Sequence, residues 1–348
     1  MNKARRVLLL IISVSALLQP LIIQAASCKT QAEMTGEQRA SLSSFSHLLM
    51  SEVQSGNDAS LQTNSIPSLA GNFDGIRTSI DTLKPQLVHS SITVDGLYLL
   101  DAPKDSLGAE RTDFYCGAPV VALNFNHLPP GNYALVIVHA TGVPQPQQIT
   151  LILSELTPGQ WRLGGFFCKP MTEAGHDGLW YWISARDFAK RNMDWNALLY
   201  YQTAAFLVDP VDFLSSPNSD KLQQEQQLIH AEGFPYTRPI TLSAIGAVFH
   251  VTAIDTTTTL GPLDIEVHYT PDALQSEQLN TPSLARRQVT DVMTTLLTLH
   301  PELRQAFHGI WVQADGVSSS LFSLELPMDQ IVSDTGPSIT SSTLFIHP

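Results

Sequence analysis

From Ser91 to Phe167 the apolar residues recur with a period of two, in short runs separated by proline and glycine, and this stretch most constrains the fold. The runs 91–94, 97–100, 113–116, 120–125, 132–139, 148–153 and 161–167 read as strands. Pro129-Pro130-Gly131 marks one turn and Thr157-Pro158-Gly159 a hairpin. Before this stretch the period is helical. A helix is predicted from Thr35 to Val53, with Thr35 as N-cap, Leu42, Phe45, Leu48, Leu49 and Val53 on one face, and Gly56 past its end. A shorter helix is predicted over Leu69–Leu83, with Ile76, Ile80 and Leu83 on one face and Pro85 as its stop. Helices followed by antiparallel strands give an α+β class.

The rest divides in two. Residues 171–232 read as an aromatic-rich helical hairpin followed by a polar helix near 221–232. They hold Trp180, Tyr181, Trp182, Phe188, Trp195, Tyr200, Tyr201 and Phe206. Residues 236–332 read as a second α+β unit of order β-β-α-β-β. Its strands are expected at 242–254, 262–269, 309–314 and 320–326, and its helix at 283–299 with Thr281 as N-cap. Residues 333–348 read as a loose Ser/Thr-rich tail.

Two stretches carry a resemblance. Leu128-Pro129-Pro130-Gly131-Asn132-Tyr133, Gln148-Ile149-Thr150-Leu151 and Gly159-Gln160-Trp161-Arg162-Leu163-Gly164-Gly165-Phe166-Phe167 look like the closing strands of exported bacterial cystatin-like/NTF2-like domains. The resemblance covers 35–170 and implies helices against a curved antiparallel sheet. It implies no particular activity, and the catalytic carboxylate and histidine pairs of the enzymatic members are not recognisable. Residues 179–210 resemble a single tetratricopeptide unit. Tyr181, Ala185, Phe188, Ala197, Tyr201 and Ala204 fall on its signature positions, with Ser184 replacing its leucine and its closing proline displaced to Pro210. A lone unit builds no solenoid, so it reads as a packed helical hairpin.

Residues 1–27 read as an export leader. Lys3, Arg5 and Arg6 precede the apolar run Val7–Ile23, and Ala25-Ala26-Ser27 supply small residues for cleavage. Ala25-Ala26-Ser27-Cys28 is similar to a bacterial lipobox, with Ala25 where leucine is usual, and this implies lipidation of Cys28. The other cysteines, Cys116 and Cys168, lie in strand-like segments placed in one sheet. In an oxidising compartment they are expected to bridge, the alternative being two buried thiols. With 19 basic and 32 acidic residues the chain carries −13, which excludes nucleic-acid binding through a basic surface.

No GxSxG, HExxH, GxGxxG, Walker loop, CxxC pair or EF-hand loop occurs. Three weaker patterns remain. On the strand 262–269, period two puts Asp264, Glu266 and His268 on one face, and His250 lies on the strand before it. These are metal-ligand types, against the plainer reading of a solvated strand face. His176 and Asp177 sit in Gly175-His176-Asp177-Gly178 before the aromatic helix, where Asp177 suits an N-cap. Trp180, Trp182 and Trp195 offer aromatic faces for a ligand, against packing within the hairpin. His139, at a strand end, reads as structural.

The favoured expectation is an exported, non-enzymatic binding or accessory protein of the bacterial cell envelope. Its partner is a small ligand or an envelope protein, and no cofactor is expected. The alternatives are an envelope assembly module acting through the hairpin, with a homodimer among its forms, and a metal-dependent hydrolase using the 250/264/266/268 set.

Overall fold

A computed structural model describes residues 26–331, Ile245 excepted. Residues 1–25 of the expected leader and the expected tail 333–348 lie outside the described residues. The described residues divide into two compact units: one of 26–85 with 92–138 and 150–167, the other of 86–91, 139–149 and 168–331.

The first unit opens with strand β1 (Ser27–Thr30), which pairs antiparallel with β2 (Ser91–Ala102), Cys28 opposite Leu100. Ser27, assigned above to the leader, is therefore part of the folded chain. Helix α1 (Gly36–Ser55) starts where the sequence places it. Thr35 accepts from the Gln38 N–H, the Gln38 side chain caps Thr35 in return, and Gly56 closes the helix at φ 68°. Short helices α2 (Asp58–Thr63) and α3 (Pro67–Ala70) follow. Glu52 of α1 fixes α2 by accepting from Ser60 Oγ (2.6 Å) and Asn64 Nδ2 (2.9 Å).

Helix α4 (Asp74–Leu87) corrects one expectation: Pro85 lies inside it rather than stopping it. A proline so close to a helix end removes one backbone bond of the last turn and leaves the body of the helix intact. Its buried residues Ile80, Leu83 and Leu87 hold the helix in place.

Strands β3 (Arg111–Cys116) and β4 (Val121–Asn126) form a hairpin ladder, Phe114 opposite Leu123. The larger sheet has the order β1-β2-β5-β6-β7, with β5 (Gly131–Thr141), β6 (Gln147–Thr157) and β7 (Gln160–Pro170). Ala134 to Val138 are buried without alternation, as a central strand covered on both faces requires. The turn between β6 and β7 falls at Gly159, whose φ of 78° only glycine adopts cheaply.

The cysteine pairing expected from sequence is overturned. Cys116 bridges Cys28 (Cα–Cα 5.1 Å), and Cys168 is a free thiol. Cys116 lies in β3 and Cys168 in β7, which belong to different sheets. The bridge also removes Cys28 from the lipidation reading, because its sulfur is already bonded. Cys168 donates weakly to Gln147 Oε1 (3.4 Å), and burial pushes its thiol up to about 12.

The second unit begins with two-residue strands β8 (Thr172–Glu173) and β9 (His176–Asp177). The hairpin is α5 (Gly178–Lys190) and α6 (Asp194–Val208). Gly178 sits where a Cβ would lie 2.8 Å from Val208 Cγ2, so the helices close together only around glycine. Ten residues of α6 are buried, from Trp195 to Leu207. A helix buried over most of its length belongs in a core.

A short strand β10 (Leu214–Ser215) precedes α7 (Pro217–Gln227), which starts and ends earlier than the polar helix expected near 221–232, with Ser216 and Ser219 forming a capping box at its start. Glu225 of α7 anchors the hairpin. It accepts from Arg186 Nε (2.6 Å), Arg186 NH2 (2.8 Å) and Trp182 Nε1 (2.7 Å). The Arg186 guanidinium holds the Glu225 carboxyl below its ordinary range. Its ionised form therefore stabilises the fold at neutral pH, and that contribution disappears as pH falls through the lowered value. Glu225→Ala is expected to cost about 2 kcal/mol at pH 7, and the gap to wild type should narrow between pH 5 and 3 in urea titrations. A gap independent of pH would refute this role.

The C-terminal sheet has the order β11-β12-β13-β14-β15: β11 (Ile240–Ala244), β12 (Ala247–Thr257), β13 (Asp264–Thr270), β14 (Gly309–Asp315) and β15 (Ser320–Pro327). The single strand expected at 242–254 is in fact a hairpin, Ala244 paired with Ala247 and Gly246 at φ 82°. The order is thus β-β-β-α-α-β-β. Helices α8 (Ala273–Gln278) and α9 (Pro282–Leu299) make the crossover that the parallel β13–β14 pair needs. Of the expected apolar face of α9, Ala285, Val289, Val292, Met293 and Leu296 are buried, whereas Leu299 at the helix end is exposed. Among the described residues, no helix is long and apolar enough to cross a membrane.

Candidate functional site

The aromatic candidates separate. Trp182 and Trp195 are buried, with their N–H groups bonded to Glu225 and to the Glu232 carbonyl (3.0 Å), so they belong to the core and not to a ligand surface. Trp180 is 39% exposed and stacks on His176 at 3.7 Å and 8°. Asp177 caps α5 by accepting the Trp180 N–H (2.8 Å). Of this set His176, Asp177 and Trp180 share an exposed surface.

Beside the hairpin, α6 and the end of β12 enclose a polar cleft of about 600 Å³, within the range of small-molecule sites. Gln202, Thr203 and Phe206 of α6 form one wall, and Asp255 to Thr259 the other. Glu173 and Gln145 close it. Thr203 donates to the Leu199 carbonyl (3.0 Å), so it accepts from Thr256 (2.8 Å) and ties the helix to the strand. Thr258 donates to the Glu173 carboxylate. Burial pushes the Glu173 carboxyl up, and the Thr258 bond opposes this. The Gln202 Oε1 is buried without a partner. Phe206 presents 44% of its surface. The lining offers two carboxylates, two carboxamides and a run of hydroxyls, and the Lys169 ammonium stands 5.3 Å from the centre of the Phe206 ring.

The metal-ligand candidates do not converge as a set. His250 is exposed and stands opposite Thr241 and Thr270, apart from the others. Asp264, Glu266 and His268 do share one face of β13, but four residues of strand span about 13 Å. They join two different groups. Glu266 lies 3.4 Å from His268 Nε2, while His268 Nδ1 meets Asp315 at 3.1 Å. Asp264 is 1% exposed, so it is no solvent-facing residue. It meets His308 Nδ1 at 3.1 Å, and Glu325 completes a cluster whose ligand atoms lie within 4.8 Å of one another. Burial pushes the Asp264 and Glu325 carboxyls up. His308 opposes this at Asp264, whereas the Asp264 charge adds to it at Glu325.

His308, Glu325 and Asp315 were not singled out from sequence as ligands, because pairing of β14 with β13 and β15 brings them in from remote positions. The cleft had one visible signal, the four consecutive threonines 256–259 at a strand end. His139 Nε2 meets Gln148 Oε1 at 3.0 Å.

No protein-family model, curated protein or solved structure matches the chain.

Proposed function

We propose that the chain is an exported binding protein of the cell envelope that holds a small, neutral, hydroxyl-rich ligand of monosaccharide to disaccharide size in the Thr256–Thr259 cleft. The observation that carries this is the imbalance of the lining. A wall of carboxylates, carboxamides and the unpartnered Gln202 Oε1 calls for a ligand that donates hydrogen bonds. The exposed Phe206 ring suits the C–H face of a sugar. The net charge of −13 disfavours anionic ligands.

Two observations favour binding over the other expectations. Ten residues of helix α6 are buried, so that helix offers an assembly partner little free surface. The 250/264/266/268 set of the hydrolase expectation does not come together. The Cys28–Cys116 bridge suits an oxidising compartment, in keeping with export.

The test is calorimetric titration with a panel of neutral mono- and disaccharides, polyols and sugar acids. A neutral sugar is expected to bind. Gln202→Leu and Phe206→Ala are expected to weaken it at least about tenfold, as loss of one buried bond or one aromatic face implies. Binding by sugar acids alone, or variants that bind as wild type does, would overturn the reading.

A further inference from the structure

We infer that Asp264, His308 and Glu325 form a binding site for one divalent transition-metal ion of the zinc class. None of the three lines the cleft, so the inference stands apart from the sugar-binding reading.

Three independent features of the cluster point to a cation. The first is the donor set. One imidazole nitrogen and two carboxylate oxygens, supplied by three separate segments, lie within 4.8 Å of one another. Tetrahedral zinc with ligand bonds of about 2.0–2.1 Å needs donor atoms roughly 3.3 Å apart. The His308 Nδ1–Asp264 Oδ1 distance of 3.1 Å already satisfies this, and a small closing movement of Glu325 supplies the third ligand. Two carboxylates alone suit calcium or magnesium, which take six or more oxygens. The imidazole shifts the preference to zinc and its neighbours.

The second feature is a polar atom without a partner. Glu325 Oε1 is buried and accepts no hydrogen bond from the protein, although it faces the carboxylate of Asp264. Two carboxyl groups facing each other repel when both are ionised, and a 2+ ion between them removes that cost.

The third is the shape of the cradle. Gly309 adjoins His308. A Cβ built there would lie 2.5 Å from Glu325 Oε1 and 3.1 Å from Asp264 Oδ1, in the space both oxygens face. Glycine at this position keeps that space open. The parallel register places Gly309 beside Asp264, and Glu325 follows from the β14–β15 pairing, so the backbone itself fixes two of the three ligands. His308 is half-exposed, which leaves a path for the ion and an open coordination position. The metal would take the place of the hydrogen between His308 Nδ1 and Asp264 Oδ1, with the imidazole carrying its proton on Nε2.

The test uses the full protein, stripped with chelator and titrated with zinc against a chromogenic competitor. Wild type is expected to take up one equivalent. His308→Ala and Glu325→Gln should weaken binding by more than the roughly ten- to hundredfold that loss of an outer hydrogen-bond partner costs. His268→Ala, in the neighbouring histidine–carboxylate group, should leave the affinity unchanged. Glu325→Gln also separates a metal site from a structural one. Without metal it should melt no lower than wild type, since it removes a repulsion, and zinc should no longer raise its Tm. No stoichiometric zinc, unchanged affinity in both ligand variants, or loss only in His268→Ala would each overturn the assignment.

Discussion

Serine at both Cys28 and Cys116 is expected to lower the unfolding free energy of the N-terminal unit by about 4–5 kcal/mol, the largest single effect anticipated for this chain. The bridge joins residues 88 apart, and closing a loop of that length removes most of its value from the unfolded ensemble. It also ties down β1, a four-residue edge strand held otherwise by its ladder to β2. Loss of the bridge should therefore fray the strand first and then lower the whole transition. Urea unfolding of the oxidised, reduced and doubly substituted proteins measures this. Peptide mapping under non-reducing conditions should recover a linked 28–116 pair. Cys168 should alkylate slowly until denaturant is added, because its half-buried thiol is pushed up to about 12 by desolvation. A 116–168 peptide, or equal stability of the oxidised and reduced forms, would count against the assignment.

The cysteine pairing shows where the sequence was legible and where it was not. Local signals were readable. Thr35 and Gly56 bracket α1, Gly159 turns β6 into β7, and Thr281 with Pro282 opens α9, because each element carries its own start or stop. Sheet membership was not readable, because it is a property of remote pairs. Placing 113–116 and 165–168 in one sheet gave the wrong cysteine partner, and β1 was missed because its four residues adjoin the leader. Proline was over-read at Pro85, where one lost bond near a helix end does not outweigh the burial of Leu83 and Leu87.

The same division holds for the site. Period two correctly put Asp264, Glu266 and His268 on one face, yet a shared face is not a shared site. The strand carries Asp264 and His268 too far apart, and register then gives each different companions. Asp264 was legible as a ligand type, whereas His308 and Glu325 became its neighbours only through the parallel crossover. The cleft depends on α6 lying against the end of β12, and nothing local to Gln202 or Phe206 announces that contact.

Trp195→Ala is expected to cost about 4 kcal/mol, typical of a buried tryptophan truncated in a packed core, whereas Trp180→Ala should cost about 1 kcal/mol. The two residues looked alike as candidate ligand faces, and burial is what separates them. Trp195 is 3% exposed, stacks on His300 at 3.7 Å, meets Phe234 edge-on at 5.0 Å and donates to the Glu232 carbonyl. Its loss leaves a cavity and an unpaired carbonyl together. His300 reports on the cavity directly. Burial holds its pKa below the ordinary histidine range, with Glu302 opposing, so the folded protein keeps it neutral. The unfolded chain takes up that proton first as pH falls through about 6.5, and wild type loses stability there. In Trp195→Ala, water reaches the ring and its pKa should return toward the ordinary value. The wild-type advantage therefore narrows below pH 6. Proton NMR titration of His300, with urea midpoints at pH 7.5 and 5.5, measures both effects. If Trp195→Ala unfolds like wild type while sugar binding disappears, Trp195 belongs to the ligand site after all, and the core assignment falls.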